Sequence, residues 1–202
     1  EEISYGPMLY KINIDGTGFE QLSGYVQSTV PEGKEGSVNL SGLAIDKDGN
    51  LWTVENTNFY HFDANDMWVD DGSEIYLCKL DQNGAELARY DLTALGKNRE
   101  YFYINAIVPA ADGKIYISDG DMSIFALDNN GQQLFTLNVE NWINSLIALP
   151  DGNVAATFYS ENGLVMKTID GAAQDWGKTI ELPDRLRQVF PGSGDYDFYF
   201  TD

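Results

Sequence analysis

The sequence predicts an all-β chain, and two observations lead to that prediction. Asp-Gly and Asp-x-Asn-Gly turns recur between short runs of aromatic and β-branched residues, which is the pattern of β-hairpins. No long stretch carries the 3.6-residue apolar period of an amphipathic helix. The best candidate for helical structure is a single turn at residues 92–95.

Four segments superimpose as a first hairpin, each with an apolar run, a turn that begins at an aspartate, and a second apolar run. The four turn aspartates are Asp48, Asp112, Asp151 and Asp195. Glycine follows the first three, and it accepts the positive φ that a tight hairpin turn requires. Tyr196 follows the fourth, so this copy of the hairpin is degenerate.

A second hairpin follows three of the first hairpins. Its segments are 74–87, 123–134 and a looser copy that begins at 164–171. In the first two, an Asn-Gly pair suits a loop of about three to five residues with glycine in the left-handed position. Residues 8–16 form the same second hairpin without a first one before it.

The turn aspartates of the first hairpins are 64, 39 and 44 residues apart. Four strands in about 40–50 residues is the spacing of a β-propeller blade. The longest interval contains an insertion at residues 56–72, which we expect to be a loop between the two hairpins of its blade. The predicted fold class is therefore an all-β propeller of four-stranded antiparallel blades, with four blade equivalents in this chain.

One propeller domain, or a fragment of one, accounts for residues 1–202. The predicted parts are second-hairpin strands at 8–24, blades at 38–92, 103–140 and 142–183, and first-hairpin strands at 186–202. The first and last hairpins could complete one blade and close a four-bladed ring. Alternatively, the chain belongs to a larger ring of about six to eight blades, and the apolar run at 197–202 pairs with residues outside this sequence.

Composition excludes several classes of protein and site. The chain has 12 Lys and Arg against 32 Asp and Glu, a formal net charge of −20, so nucleic acid and anionic membrane surfaces are poor partners. No apolar run approaches the roughly 18 residues of a membrane-spanning helix. The single Cys78 excludes an internal disulfide and a cysteine metal cage, and the single His61 excludes a two-histidine zinc site.

Residues 44–54 (AIDKDGNLWTV) and 127–137 (LDNNGQQLFTL) resemble blades of the bacterial propeller class that includes NHL, gluconolactonase-like and sensor-periplasmic propellers. They are also similar to blades of lipoproteins that accompany extracytoplasmic solute-binding proteins. The resemblance covers residues 8–202 and implies the propeller architecture. The chain departs from some members in having no Trp-Asp signature. A gluconolactonase-like enzyme would hold calcium or zinc on acidic and amide side chains to activate water.

In a propeller, the first strand of each blade lines the central channel, so its start and the end of the second strand meet at one rim. Positions seven residues before and after each turn aspartate are therefore expected to pair. The pairs are Ser41 with Glu55, Asn105 with Asp119, Asn144 with Phe158, and Gln188 with Asp202. Amides and carboxylates bond hydroxyl groups, so this polarity predicts a site for a small polar ligand, with a carbohydrate as first choice.

The same residues are open to two other interpretations. Glu55, Asn105, Asp119 and Asn144 carry the oxygen ligands that Ca²⁺ prefers, which would suit a metal-dependent lactonase or hydrolase. Strand ends are also polar wherever a chain turns into water. The propeller could then be purely structural and support a neighbouring domain.

Aromatic residues extend the predicted ligand surface. Tyr60 and Trp68 lie in the insertion, on the face where the rim is expected, and aromatic faces stack on sugar rings or on partner side chains. Tyr103 directly precedes a first strand and is expected near the same rim. The alternative for Tyr60 and Trp68 is that the insertion only caps the neighbouring blade, and the alternative for Tyr103 is packing between blades. Trp52 is assigned to the core.

We expect an extracellular or bacterial cell-surface protein, because acidic charge, aromatic richness and few cysteines are typical of that class. The chain starts at Glu1 without an initiator methionine, so we expect that an export segment was removed or that the chain was excised from a longer one. The predicted function is a binding module for a small polar ligand or a protein partner. Catalysis stays open, since no residue stands out as a nucleophile or a base.

Overall fold

The computed structural model describes residues 6–32, 34–97, 102–119, 122–139, 141–149, 151–161, 163–182, 188–191 and 198–201. Across these residues the chain is all-β, and the only helical element among them is a 3₁₀ turn at Thr93–Gly96, one residue from the predicted position. The chain divides into two compact units, Glu1–Tyr101 and Phe102–Asp202. Within the described ranges, no helix is long and apolar enough to cross a membrane.

The described part of the first unit forms a two-stranded sheet and a four-stranded antiparallel sheet. Its strands are β1 (Tyr10–Lys11), β2 (Glu20–Gln21), β3 (Glu35–Ile45), β4 (Leu51–Phe62), β5 (Trp68–Leu80) and β6 (Glu86–Asp91). β1 pairs with β2, and the larger sheet has the order β3-β4-β5-β6. The spatial order follows the chain because short turns join consecutive strands.

The described part of the second unit forms two four-stranded antiparallel sheets and one two-stranded sheet. The first sheet contains β7 (Ala106–Pro109), β8 (Ile115–Ser118), β9 (Ser123–Leu127) and β10 (Gln133–Asn138). The second contains β11 (Ile143–Ala148), β12 (Val154–Ser160), β13 (Gly163–Asp170) and β14 (Asp175–Glu181). The third pairs β15 (Gln188–Pro191) with β16 (Phe198–Thr201).

The four-stranded sheets have the form of propeller blades, since each is antiparallel and ordered along the chain. The predicted fold class is confirmed. Within the second unit the two blades pack face to face around one apolar cluster. This cluster contains Val108, Tyr116, Ile124, Ala126, Leu137, Ile143, Val154, Ala156 and Ile169. In the first unit Trp52 is only 3% exposed, as its assignment to the core requires.

The expectation of a loop at residues 56–72 is wrong. Strand β4 continues to Phe62 and β5 begins at Trp68, so the insertion lengthens the two middle strands of its blade into a hairpin. We call residues 56–72 the hairpin extension. Its inner part is also paired on the other side, where β3 runs alongside β4 from Glu35 onward.

The turn of the hairpin extension is built like the other Asp-x-Asn turns, although it has no glycine. Asp63 accepts hydrogen bonds at Oδ1 from the backbone N of Asn65 and of Met67, at 2.8 and 3.0 Å. Asp81 forms the same pair of bonds in the next turn. Asp66, with a positive φ of 57°, stands where that turn has its glycine, and this absence of glycine hid the hairpin from the sequence pattern.

Candidate functional site

Two asparagine side chains at the starts of first strands are each contacted by a buried hydroxyl group. In the blade β7–β10, Ser118 donates from Oγ to Oδ1 of Asn105. In the blade β11–β14, Nδ2 of Asn144 donates to Oγ1 of Thr157 over 3.4 Å. Both hydroxyl residues are 0% exposed, whereas both asparagines are exposed. Buried hydroxyls therefore orient amides that solvent, or a ligand, can reach.

The hydroxyl partners were missed by the sequence analysis, although they recur six residues after the turn aspartate in these two blades. In the last hairpin Gln188 lies opposite Thr201, so an amide residue again faces a hydroxyl residue across the strands. The side chains of these two residues lie outside the described part of the chain. In the first unit Ser41 lies opposite Val54 instead. The buried Oγ of Ser41 accordingly has no hydrogen-bond partner among the described residues.

The expected pairing of Ser41 with Glu55 is wrong by one residue. A β-bulge at Gly42, which has a φ of 62°, adds a residue to β3, so Glu55 lies opposite Leu40. A second bulge, at Asn144 in β11, shifts the register there in the same way. The prediction paired residues that lie equally many positions before and after the turn aspartate. Such pairing requires a strand pair without bulges, and each bulge shifts it by one residue.

Glu55 occupies a buried ion-pair network. The residue is 0% exposed. Its Oε1 accepts a hydrogen bond from Nη1 of Arg89 at 2.7 Å. Its Oε2 accepts from the hydroxyl of Tyr25 at 2.5 Å and from the backbone N of Ser28 at 3.3 Å. Arg89 also donates to the Ser28 hydroxyl at 2.8 Å, which closes the network.

The network holds Glu55 ionised. Burial alone would raise the pKa of its carboxyl group, but hydrogen bonds from Arg89, Ser28 and Tyr25 outweigh burial, so the pKa of Glu55 lies below its usual value. The same burial and the Glu55 carboxylate raise the pKa of Tyr25. A carboxylate whose two oxygens are occupied in this way connects the segment around residues 25–28 to the blade rather than facing an open rim.

Asp119 is also enclosed. It is 2% exposed and lies just after β8, where its Oδ1 accepts a hydrogen bond from the backbone N of Ser123 at 3.0 Å. Its own N donates to the carbonyl of Ser123 at 3.2 Å, so Asp119 fastens the bend between β8 and β9. Asp202, the remaining carboxylate predicted for the rim, lies outside the described residues.

The arrangement of Glu55 does not fit a calcium ligand. Ca²⁺ takes several oxygen atoms that are free to approach it, and here a guanidinium group already neutralises the carboxylate. Within the described ranges, no three His, Cys, Asp or Glu side chains are grouped so that they could hold a metal ion. Asn105, Asp119 and Asn144 stay predicted calcium ligands, and we derive no chemical step from a bound metal.

Cys78 does not supply a nucleophile. The residue is 0% exposed in β5, and burial raises the pKa of its thiol to about 12. A buried thiol that stays protonated at neutral pH is unreactive.

The hairpin extension carries an exposed group of aromatic rings on one side, which we call the aromatic face: Tyr60, Phe62 and Trp68. Phe62 lies directly opposite Trp68 across the strands. The Tyr60 ring is 6.0 Å from the Phe62 ring, edge to face, and 6.1 Å from the Trp68 ring, measured between centroids. Phe62 is 52% exposed and Trp68 57%. Tyr60, which is half-buried, thus contacts both of the other rings, and Phe62 and Trp68 keep about half of their surface exposed.

Polar side chains lie on the same side of the hairpin extension. Asp70 is the cross-strand neighbour of Tyr60, and Asn58 is the neighbour of Ser73. Directly opposed residues of an antiparallel pair share a face, and residues 58, 60 and 62 alternate onto one side of β4. Asn58, Asp70 and Ser73 are all exposed. Hydrogen-bonding groups therefore border the aromatic face.

The opposite side of the hairpin extension differs in character. Phe59 is 5% exposed, and the ammonium of Lys34 lies 4.6 Å from its ring centroid. His61 is exposed, and its Nδ1 is 2.8 Å from Oδ2 of Asp71.

Tyr103 belongs to the second unit, where it is 50% exposed just before β7. Trp142 holds the equivalent position before β11 and is 69% exposed. Neither ring is buried between blades, so both are accessible beside the exposed amides of Asn105 and Asn144. The neighbouring Phe102, by contrast, packs edge to face on Phe125, with 6.0 Å between ring centroids.

Comparison with known proteins gives the fold and nothing finer. No protein-family model matches the chain, and no curated protein matches it. Among solved structures, a protein of unknown function from Bacteroides caccae has a TM-score of 0.55 at 15% identity, over 89% of this chain and 58% of that one. The chain thus spans less than two thirds of that protein's length.

Two further solved structures match less well. The Kuenenia stuttgartiensis hydrazine synthase has a TM-score of 0.44 at 16% identity, over 82% of this chain and 55% of that one. A putative gluconolactonase has a TM-score of 0.39 at 12% identity, over 77% of this chain and 68% of that one. Both of these TM-scores are below 0.5, so neither match supports an argument about this chain. The match to the Bacteroides caccae protein, at 15% identity, extends to the fold alone, and the function of the chain has to be argued from its own residues.

Proposed function

We propose that this protein is a binding module and that the aromatic face of the hairpin extension recognises a carbohydrate. The observation that carries the proposal is the exposure of Phe62 and Trp68, 52% and 57%, on a hairpin that extends the two middle strands of its blade. Leaving large apolar rings in water forgoes the stabilisation that burial would bring, about 1.5–3 kcal/mol for a fully buried Phe. A ligand that covers the rings would recover part of it.

The chemistry of the face suits a sugar. The apolar C–H side of a pyranose ring can lie against Trp68 and Phe62, while its hydroxyl groups reach Asp70, Asn58 and Ser73 at the border. A carboxylate accepts hydrogen bonds and an amide both donates and accepts, so adjacent hydroxyls of one sugar can be satisfied together. Contact between the three rings limits the motion that binding would have to arrest, which lowers the entropic cost.

The exposed amides of Asn105 and Asn144 support the same role in the second unit. The Ser118 and Thr157 hydroxyls orient these amides, which is what pre-organised hydrogen-bond recognition needs. Tyr103 adds an accessible aromatic ring to that surface. We further propose an extracytoplasmic location, supported by the net charge of −20 and the single cysteine.

Calorimetric titration with a panel of neutral mono- and oligosaccharides tests the proposal. We expect at least one sugar to bind and Trp68→Ala to weaken it about tenfold, which corresponds to about 1.4 kcal/mol of stacking. Phe19→Ala is the matched control, because Phe19 is an exposed ring of the same unit that stacks on Tyr10, 5.0 Å away, and lies outside the hairpin extension.

Two results would contradict the proposal. If no sugar in the panel binds, the aromatic face serves another purpose, and capture of a protein partner that Trp68→Ala abolishes would identify it. If a sugar binds and Trp68→Ala has no greater effect than Phe19→Ala, the sugar site lies elsewhere.

A further inference from the structure

The aromatic face of the hairpin extension has a carboxylate on either side of its middle ring. Tyr60 lies in β4, and its neighbours across the strands are Glu35 in β3 and Asp70 in β5. Directly opposed residues of antiparallel strands project to the same face, so the three side chains form one row across the sheet. Adjacent strands are about 4.8 Å apart, which leaves the two acidic residues about 10 Å apart at the backbone, with Tyr60 between them.

Neither carboxylate has a cationic partner among the described residues. Oδ1 of Asp70 accepts a hydrogen bond from the backbone N of Gly72 at 2.8 Å, which holds the side chain in place. The side chain of Glu35 forms no ion pair or hydrogen bond within the described part of the chain, and both acidic residues are exposed. The aromatic face therefore combines exposed apolar rings with two negative charges.

The basic residues near the hairpin extension lie on its opposite side. The ammonium of Lys34 is 4.6 Å from the ring centroid of Phe59, which is buried on that side. Nδ1 of His61 is 2.8 Å from Oδ2 of Asp71. Because successive residues of a strand point to opposite faces, neither basic group lies beside the aromatic face. The two sides of the hairpin extension thus differ in charge, and the aromatic side is the negative one.

A neutral sugar on the aromatic face would leave its two charges uncompensated. A ligand that covers the rings also removes water from the carboxylates beside them, and a charge taken out of water costs free energy unless it is paired. Hydroxyl groups offer hydrogen bonds but no opposite charge. An ammonium group offers both, and it is attracted to the faces of aromatic rings such as Tyr60 and Trp68. The face therefore favours a cation over a neutral ligand of the same shape.

We propose that the carbohydrate recognised by the aromatic face is an amino sugar whose free ammonium group lies between Glu35 and Asp70. The assignment rests on the proposed function, because the amino sugar occupies the same face. Asp70 is two residues from Trp68 along β5, about 7 Å between Cα atoms. A pyranose ring that stacks on Trp68 thus brings an ammonium group on its edge toward Asp70, and Glu35 attracts the same group from the other side of Tyr60.

Calorimetric titration with two disaccharides of the same linkage tests the proposal. They are the glucosamine disaccharide of chitosan and cellobiose, which carries hydroxyl groups in place of the ammonium groups. At about pH 6 the carboxylates are ionised and the sugar amines are protonated. We expect the glucosamine disaccharide to bind about tenfold more tightly than cellobiose, and we expect this preference to shrink as salt is added, because the contact is ionic. Trp68→Ala should weaken the binding of both sugars.

The preference, measured as the ratio of the two affinities, identifies the residues that recognise the charge. Glu35→Gln and Asp70→Asn should each lower it about two- to fivefold, as expected for the loss of one exposed ionic contact. Asparagine keeps the Oδ1 that accepts from Gly72. Asp71→Asn is the matched control, because it removes the same charge from the next residue of β5, on the opposite side of the hairpin extension. It should leave the preference unchanged.

The possible results separate this assignment from the function on which it rests. If the two disaccharides bind equally and Trp68→Ala weakens both, the face binds sugars without regard to charge, which overturns the assignment and leaves the proposed function in place. If the glucosamine disaccharide does not bind, the assignment is wrong, and the neutral panel alone decides the proposed function. A preference that survives Trp68→Ala, or that falls equally in Asp71→Asn and Asp70→Asn, would show general attraction to an acidic protein and overturn the assignment as well.

Discussion

Nη1 of Arg89 lies 2.7 Å from Oε1 of Glu55, a carboxylate that is completely enclosed by protein. The two residues come from different strands, and Tyr25 and Ser28 close the network from a segment that precedes the blade. The pair therefore ties three parts of the first unit together. Its removal should affect stability more than the loss of any exposed ion pair.

Replacing Arg89 with methionine should lower the free energy of unfolding by about 3–5 kcal/mol, because it leaves the Glu55 charge buried without its partner. Urea denaturation of the wild type and the variant measures the difference. Lys11→Met is the control, since the Lys11–Glu20 pair is about half exposed on both sides and is expected to contribute about 0–1 kcal/mol. Equal losses in the two variants would mean that the buried network adds nothing beyond a surface ion pair.

Asp46 should account for part of the acid sensitivity of the first unit. Burial raises the pKa of its carboxyl group, but hydrogen bonds from Asn50, the Trp52 indole and the backbone of Asp48 outweigh burial and lower it well below its ordinary value. A folded pKa below the unfolded one contributes stability that is present above about pH 4 and is lost as the pH falls further.

The pH dependence of the urea midpoint measures this contribution. Asp46→Asn should reduce stability near neutral pH and flatten its decline below about pH 4, because the titrating group is gone. Asp48→Asn removes the same charge from an exposed position in the same turn, where the carboxylate pairs with Lys47. Identical profiles for the two variants would show that Asp46 has no special role in acid unfolding.

The fold could be predicted from the sequence because its signals are local. An aspartate followed by glycine, as at Asp112 and Gly113, specifies a turn within a few residues, and the alternation of apolar residues specifies the strands on either side. Repetition of these signals is enough to identify blades. The hairpin extension escaped prediction because Asp66 adopts the positive φ that the pattern associates with glycine.

The candidate site was harder to predict because its determinants are not local. The bulge at Gly42 displaces Glu55 by one position, and bulges have no reliable sequence signature. The partners of Glu55 are 30 residues away at Tyr25 and 34 away at Arg89, so no spacing rule connects them. The hydroxyl of Thr157, by contrast, could have been found, since a hydroxyl residue recurs at the same distance from the turn in the blade that contains Ser118.

The hydroxyl that contacts Asn144 should also contribute to stability. Oγ1 of Thr157 is 2.6 Å from Oγ of Ser145 and accepts from Asn144, and the residue is 0% exposed. Thr157→Val keeps the shape but removes these bonds, so we expect a loss of about 1–3 kcal/mol in urea denaturation. The exposed Thr179 of β14 provides the control, and Thr179→Val should change stability by less than about 0.5 kcal/mol. If Thr157→Val leaves the free energy of unfolding unchanged, the Thr157 hydroxyl does not hold the Asn144 amide in place.

Alanine substitutions at Gly113 and Gly152 distinguish two contributions to the free energy of unfolding, the strain of a turn and the packing between blades. Gly113 and Gly152 have φ values of 83° and 84°, so alanine at either position should lose about 1 kcal/mol to the left-handed conformation. A methyl group on Gly152 would also lie 2.3 Å from Cβ of Ala111, whose N donates to the Gly152 carbonyl at 3.0 Å. At Gly113 the nearest atom would be 3.4 Å away, on the flexible side chain of Asn129.

We therefore expect Gly152→Ala to destabilise the protein by about 1–3 kcal/mol more than Gly113→Ala, because it forces the β11–β12 turn away from the β7–β8 turn. Chemical denaturation of the wild type and the two variants measures the loss of unfolding free energy in each variant. The difference between the two losses is the contribution of packing between the turns. If the two variants lose the same free energy, the β7–β8 and β11–β12 turns are not in close contact in solution, because the extra methyl group at Gly152 would then meet no resistance.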